Sequence, residues 1–159
     1  MVQLKEMADK ALLELYAELM DEMRRRKLIR SNNNPVSDYA EKLVAEKMTL
    51  KLCSKSTKGF DAEDVLTKTR FQIKGRRITQ HNKSRQLGVI RYLLEGKYFD
   101  YLIAVIFDDK FNVKEAYKIP HDIIEKYATY DETQNGHILH VNDNLISDSA
   151  VENITTIIK

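Results

Sequence analysis

Residues 101–107, Tyr-Leu-Ile-Ala-Val-Ile-Phe, make the longest apolar run in the chain. A strand that is apolar at every successive position has no face to show to water, so residues 99–107 must form a central strand covered on both sides. Amphipathic segments elsewhere can supply those covers, and the order of elements fits an α/β sandwich around a mixed sheet. The run is far too short to span a bilayer. The chain has 159 residues, 43% hydrophobic and 31% charged, with 5 Gly and 2 Pro. That describes one ordered domain with a substantial core, spanning residues 1–159, and argues against a disordered tail protein.

Residues 3–28 read as an N-terminal helical extension, because Leu4, Met7, Ala11, Leu12, Leu15, Leu19 and Met23 recur at helical spacing. The stripe is expected to pack on the body or on a second copy of the chain, making a homodimer through this helix one expectation. Its basic end, Arg24-Arg25-Arg26-Lys27, complements the negative pole of the helix dipole. A breaker cluster, Ser31-Asn32-Asn33-Asn34-Pro35, closes the extension at about residue 30 and introduces the core at 36–120. A second helix is predicted after Pro35, capped by Ser37 or Asp38 and running to about Met48, with Ala40, Leu43 and Val44 buried. Residues 50–54 read as a short strand, 86–95 as a helix interrupted by Gly88, and 111–118 as a strand returning from the Asp108-Asp109-Lys110 turn. Pro120 is expected to open a helix to about Tyr127. In the C-terminal extension, residues 121–159, residues 137–141 suggest an edge strand, and Ser149 with Glu152 a capping box for a terminal helix.

Residues 60–77 read as a β-hairpin turning at Thr67-Lys68-Thr69. Alternation sends Phe71 and Ile73 into a core and puts Arg70, Gln72, Lys74 and Arg76 on the opposite face. Asp61, on the other arm, lies near Lys74 on that polar face. Residues 65–94 contain no Asp or Glu yet hold Lys68, Arg70, Lys74, Arg76, Arg77, Lys83, Arg85 and Arg91, with His81 among them. A net charge of +2 hides this excess, which is the footprint of a phosphate-backbone binder unless acidic neighbours balance it in the fold. A single cysteine, Cys53, excludes an internal disulfide framework and suits a reducing compartment. The four histidines show no zinc-ligand spacing. With no apolar segment resembling a signal peptide at the N-terminus, the expected location is cytoplasmic, without membrane association.

Glu41 on a helix, Gly59-Phe60-Asp61 entering a strand and Gln72-Ile73-Lys74 on the next together resemble the PD-(D/E)xK, or restriction endonuclease-like, nuclease superfamily, over residues 36–120. The resemblance implies a mixed sheet flanked by helices and a metal-dependent DNA endonuclease that hydrolyses phosphodiester bonds, suited to restriction or host defence. It assigns catalytic roles to Asp61, Gln72, Lys74 and Glu41. Magnesium, with manganese as substitute, would be held by Asp61, the Gln72 amide oxygen, the Ile73 backbone carbonyl and Glu41, while Lys74 acts on the attacking water or the phosphate. DNA contacts would come from Arg70, Arg76, Arg77, Lys83, Ser84, Arg85 and Gln86. Two departures stand out: Gln72 replaces the usual acid, and Phe60-Asp61 stands for Pro-Asp. Magnesium needs only one or two protein carboxylates, so Gln72 removes a charge without removing a ligand oxygen. On the residues alone, Glu63 or Asp64 could serve in place of Asp61. A catalytically silent DNA-binding or scaffold subunit, and an assembly protein built on the N-terminal helix, are the alternatives.

Overall fold

The computed structural model describes residues 3–159. Along the chain run a 3-10 turn (Leu4–Glu6), α1 (Asp9–Arg25), α2 (Pro35–Met48), β1 (Lys51–Leu52), β2 (Ala62–Glu63), β3 (Arg70–Arg77), β4 (Tyr101–Phe107) and β5 (Val113–Pro120). Then follow α3 (His121–Tyr127), β6 (Thr129–Asp131), β7 (Gly136–Ile138), α4 (Asp143–Ile146), β8 (Glu152–Asn153) and α5 (Thr155–Ile158). Six strands form one mixed sheet in the order β1-β2-β3-β4-β5-β8. Only β3 and β4 run parallel; the other neighbours are antiparallel.

The expectation for 99–107 holds: β4 is central, and Leu102 through Phe107 are each 0% exposed. Alternate residues feed two cores, as a period-2 strand must. Ile103, Val105 and Phe107 join Phe71 and Ile73 under α2 and α5, while Leu102, Ala104 and Ile106 face Leu87, Ile90, Leu93, Ile124 and Leu145. The result is a sheet with α2 and α5 on one side and α3, α4 and the 78–100 crossover on the other.

That crossover corrects one expectation. Residues 86–95 are not helical: Leu87 N–H donates to Leu139 O at 2.9 Å, Ile90 and His137 exchange backbone bonds at 2.8 and 2.9 Å, and Tyr92 takes φ +62°. Leu87, Ile90 and Leu93 are nonetheless buried at every third position. Such spacing mimics a helix, but here the backbone groups are satisfied by a neighbouring hairpin rather than internally.

Several boundaries also shift. The N-terminal stripe divides into the 3-10 turn and α1. Asn34, not Ser37 or Asp38, caps α2 by accepting from Val36 N–H at 3.1 Å, with Pro35 in the first turn, where its missing N–H costs nothing. Pro120 ends β5 and caps α3 rather than starting it. The hairpin turn spans 64–69, where Asp64 Oδ1 accepts from Leu66 and Thr67 N–H and Lys68 takes φ +62°. The strand foreseen at 137–141 is β7, paired with β6 outside the main sheet. The Ser149 capping box is absent: Glu152 lies in β8, and Asn153 Oδ1 accepts from Thr155 N–H at 3.0 Å to start α5. No helix is long and apolar enough to cross a membrane among the described residues.

Candidate functional site

The site gathers where β2, β3 and α2 meet. β2 and β3 pair with Ala62 opposite Phe71, and one further step of that register sets Asp61 opposite Gln72. Asp61 has dropped out of the ladder as a strand residue but remains tied to β3 at both ends. Its N–H donates to Phe71 O at 2.8 Å, and its Oδ2 accepts from Ile73 N–H at 2.7 Å. A strand residue directs its N–H and C=O to the same side, so the Ile73 carbonyl also emerges towards Asp61.

Gln72 and Lys74 project to the sheet face covered by the crossover, opposite the core residues Phe71 and Ile73. Lys74 Nζ donates to Val89 O at 3.0 Å. Gln72 Oε1 is buried without a hydrogen-bond partner. An orphaned buried carbonyl oxygen carries a desolvation cost of roughly 1–3 kcal/mol. Asp61 and Lys74 keep some surface exposed, yet their charged ends are desolvated. Burial pushes the Asp61 carboxyl up, helped by the like charge of Glu41 and opposed by the Ile73 N–H, Lys74 and Lys55. Burial likewise pulls the Lys74 ammonium down, with Asp61 and Glu41 opposing and Arg91 and Lys55 reinforcing. A carboxylate and an ammonium displaced in opposite directions at one place is an arrangement characteristic of functional sites.

Glu41 reaches this region from α2 and is 6% exposed. Arg30 Nη2 pairs with its Oε2 at 2.5 Å, and Lys55 Nζ lies 3.0 and 2.9 Å from its two oxygens. Lys55 also pairs with Asp38 Oδ1 at 2.5 Å. Asp38, 3% exposed, is the knot of this corner: its Oδ2 accepts from Arg30 N–H, Ser31 N–H and Ser31 Oγ–H, each at 2.8 Å. Burial alone would raise the Asp38 carboxyl, but Lys55 and these donors outweigh it and hold it at about 2.

The structure brings Glu41, Asp61, Gln72 and Lys74, expected from sequence patterning, into one region and adds Arg30, Asp38 and Lys55, which that patterning does not single out. No local signal marks them: Asp38 looks like a helix cap, and Lys55 sits in an ordinary Ser-Lys-Ser turn. The alternative carboxylates lie elsewhere in role. Asp64 closes the hairpin turn, and Glu63 pairs with Lys68 at 3.7 Å.

Several of the basic residues foreseen as DNA contacts are held by partners within the fold. Arg70 Nε lies 3.5 Å from Asp100 Oδ2. Arg76 donates to Ser84 O at 2.9 Å and Asn82 Oδ1 at 3.0 Å. Arg77 turns to the α2 side, holding Asp109 O and lying 4.7 Å over the Phe111 ring. Arg85 forms a two-pronged ion pair with Glu115 and donates to Val141 O at 2.6 Å. Ser84 and Gln86 border the Arg76 and Arg85 contacts, and Lys83 is exposed.

Among the described residues no three His, Cys, Asp or Glu side chains are grouped to hold a metal ion. The oxygens at hand are two carboxylates, Asp61 and Glu41, the orphaned Gln72 amide and the Ile73 carbonyl. A hard cation such as magnesium takes oxygen ligands, keeps several waters and needs one or two carboxylates; of the two here, Glu41 is paired with Arg30 and Lys55. No protein-family model matches the chain, and no curated protein is significantly similar to it in sequence.

Proposed function

We propose that this protein is a magnesium-dependent DNA endonuclease of the restriction endonuclease-like architecture, working through Asp61, Gln72, Lys74 and Glu41. The observation that carries the reading is the buried, unpartnered Gln72 Oε1 on the sheet face that Gln72 shares with Lys74 and, by register, with Asp61. Asp61, Gln72 Oε1 and the Ile73 carbonyl would hold the ion, with Glu41 completing the set when it is free of its cations. A bound divalent ion supplies Lewis-acid stabilisation of the phosphate and a more acidic water. Lys74, its ammonium already lowered by burial, is suited to take a proton from that water or to neutralise the phosphate as charge develops.

Incubation of supercoiled plasmid with magnesium, manganese or EDTA tests this. Wild type should cut only with metal, Asp61→Asn should be inactive, and Lys74→Ala should lose about a hundredfold or more in rate at saturating DNA. Metal-loaded wild type that binds DNA yet never cuts duplex, single-stranded or branched substrates ends the nuclease reading.

One observation favours the catalytically silent DNA-binding alternative: Arg30 and Lys55 both pair with Glu41, neutralising the second carboxylate. Under that reading metal leaves the bound DNA intact, and Lys74→Ala weakens binding no more than other basic changes.

A further inference from the structure

A different part of the molecule is unfinished. Met20 is the only buried residue of α1, and much of the helix's apolar surface faces outward: Leu13 is 65% exposed, Tyr16 56% and Leu19 54%. Beside the C-terminal half of the helix runs a groove of about 530 Å³, walled by Met20, Met23, Leu28, Ile29, Tyr39 and Phe111. A protruding apolar helix next to an apolar groove is incomplete in both parts.

The geometry points to a second copy of this chain as the occupant, its α1 lying antiparallel along the first and its N-terminal half seated in the groove. The residues carry this choice of partner. Leu12, Tyr16, Leu19 and Met23 are spaced alternately four and three apart, the seam of a two-helix coiled coil. Setting Tyr16 beside the second copy's Leu19 brings Leu12 opposite Met23. The same register places Asp9 opposite Arg26 at both ends. Acidic residues predominate through Glu22, whereas Arg24, Arg25, Arg26 and Lys27 close the helix. Antiparallel pairing thus sets Asp9 against Arg26 at each end and aligns the helix dipoles favourably, although Lys10 then faces Arg25 and Glu14 faces Asp21; parallel pairing sets every charge against its own copy and the dipoles unfavourably. The contact is isologous, so one two-fold axis fills both grooves and closes the assembly.

Sedimentation of the full chain at about 50 µM should give a dimer, a concentration at which even a micromolar interface is occupied. Tyr16→Lys and Leu19→Lys should each give monomers with an unchanged circular dichroism spectrum, because both side chains are exposed in the folded protomer. Leu66→Lys, at a 93% exposed position in the hairpin turn, should leave the dimer intact. Asp9→Lys and Arg26→Glu should each weaken the dimer by about three- to tenfold, and their combination should restore it. A monomeric wild type, or a dimer indifferent to Tyr16→Lys and Leu19→Lys, overturns the proposal. Failure of the combined charge exchange to restore affinity overturns the antiparallel register even if Tyr16→Lys or Leu19→Lys fails to fold. None of these readouts involves DNA or metal, so they stand apart from the nuclease test.

Discussion

Asp61 costs the fold something by being where it is. Its carboxylate is desolvated and feels Glu41 as a like charge, and the Ile73 N–H with Lys74 only partly compensates. Replacing it with Asn keeps an oxygen for Ile73 N–H and removes the charge. Asp61→Asn should therefore be more stable than wild type at pH 7, by about 1 kcal/mol or 2–4 °C in Tm. The sign of its pH dependence follows from the raised carboxyl. Wild type gains the missing stability as Asp61 is protonated, fully below the ordinary carboxylate value of 3.8, and loses it as pH rises through the raised value. Thermal melts from pH 7 down to pH 4 should show the two proteins converging; a constant gap would mean Asp61 is not desolvated. The alternation of β3 made it legible that Gln72 and Lys74 share a face away from Phe71 and Ile73. It was not legible that this face is buried, because the cover comes from Val89 and its neighbours in the crossover.

Glu41 is brought to the site by α2, and α2 can approach because β3 carries Gly75 beneath it. A Cβ there would lie 2.8 Å from Ala40 Cβ and 3.0 Å from Val36 O, a close approach to a helix wall of small residues. Gly75→Ala should push α2 outward, lowering stability by roughly 1–3 kcal/mol, as overpacking of a tight interface does. Since Glu41 follows Ala40 directly, the same change should weaken any metal-dependent activity more than Asp64→Asn, which disturbs only the hairpin turn. Equal activity in Gly75→Ala and wild type would show that Glu41 needs no such seating. At this scale β4 and α2 could be read from the chain because each signals its own burial through an unbroken apolar run or a helical stripe. The 86–95 segment could not, since its three-residue spacing records which side chains are buried and not how its backbone groups are satisfied. The terminal helix α5 is shorter than its apolar spacing predicts for a related reason: Ile154 and Ile158 are buried, but β8 takes the residues that would form the helix start.

Across the whole molecule, the acid-free stretch at 65–94 acquires its acids from elsewhere. Arg70 meets Asp100, and Arg85 meets Glu115, partners separated by 30 residues in each case and invisible to any local reading of charge. The stretch is therefore less basic in space than in sequence, and its cations divide into two kinds. Lys83 and Arg91 are exposed, and Arg91 lies near enough to Lys74 to lower its ammonium. Arg85 is half-buried and its guanidinium is already held by a carboxylate and a backbone carbonyl. If duplex DNA lies across the Lys74 side of the sheet, affinity should fall about a hundredfold or more between 50 and 200 mM salt with several phosphates engaged. Lys83→Ala and Arg91→Ala should each lower the slope of log affinity against log salt by about one. Arg85→Ala should leave that slope nearly unchanged and instead cost roughly 1–2 kcal/mol of stability, because it leaves the half-buried Glu115 with only the Tyr117 hydroxyl and removes a donor from the Val141 carbonyl. Fluorescence anisotropy across a salt series, paired with thermal melts of the same variants, separates the two effects. Loss of slope in Arg85→Ala without loss of stability would place the phosphate path on the Glu115 side, and salt-independent binding in wild type would remove DNA from the account altogether.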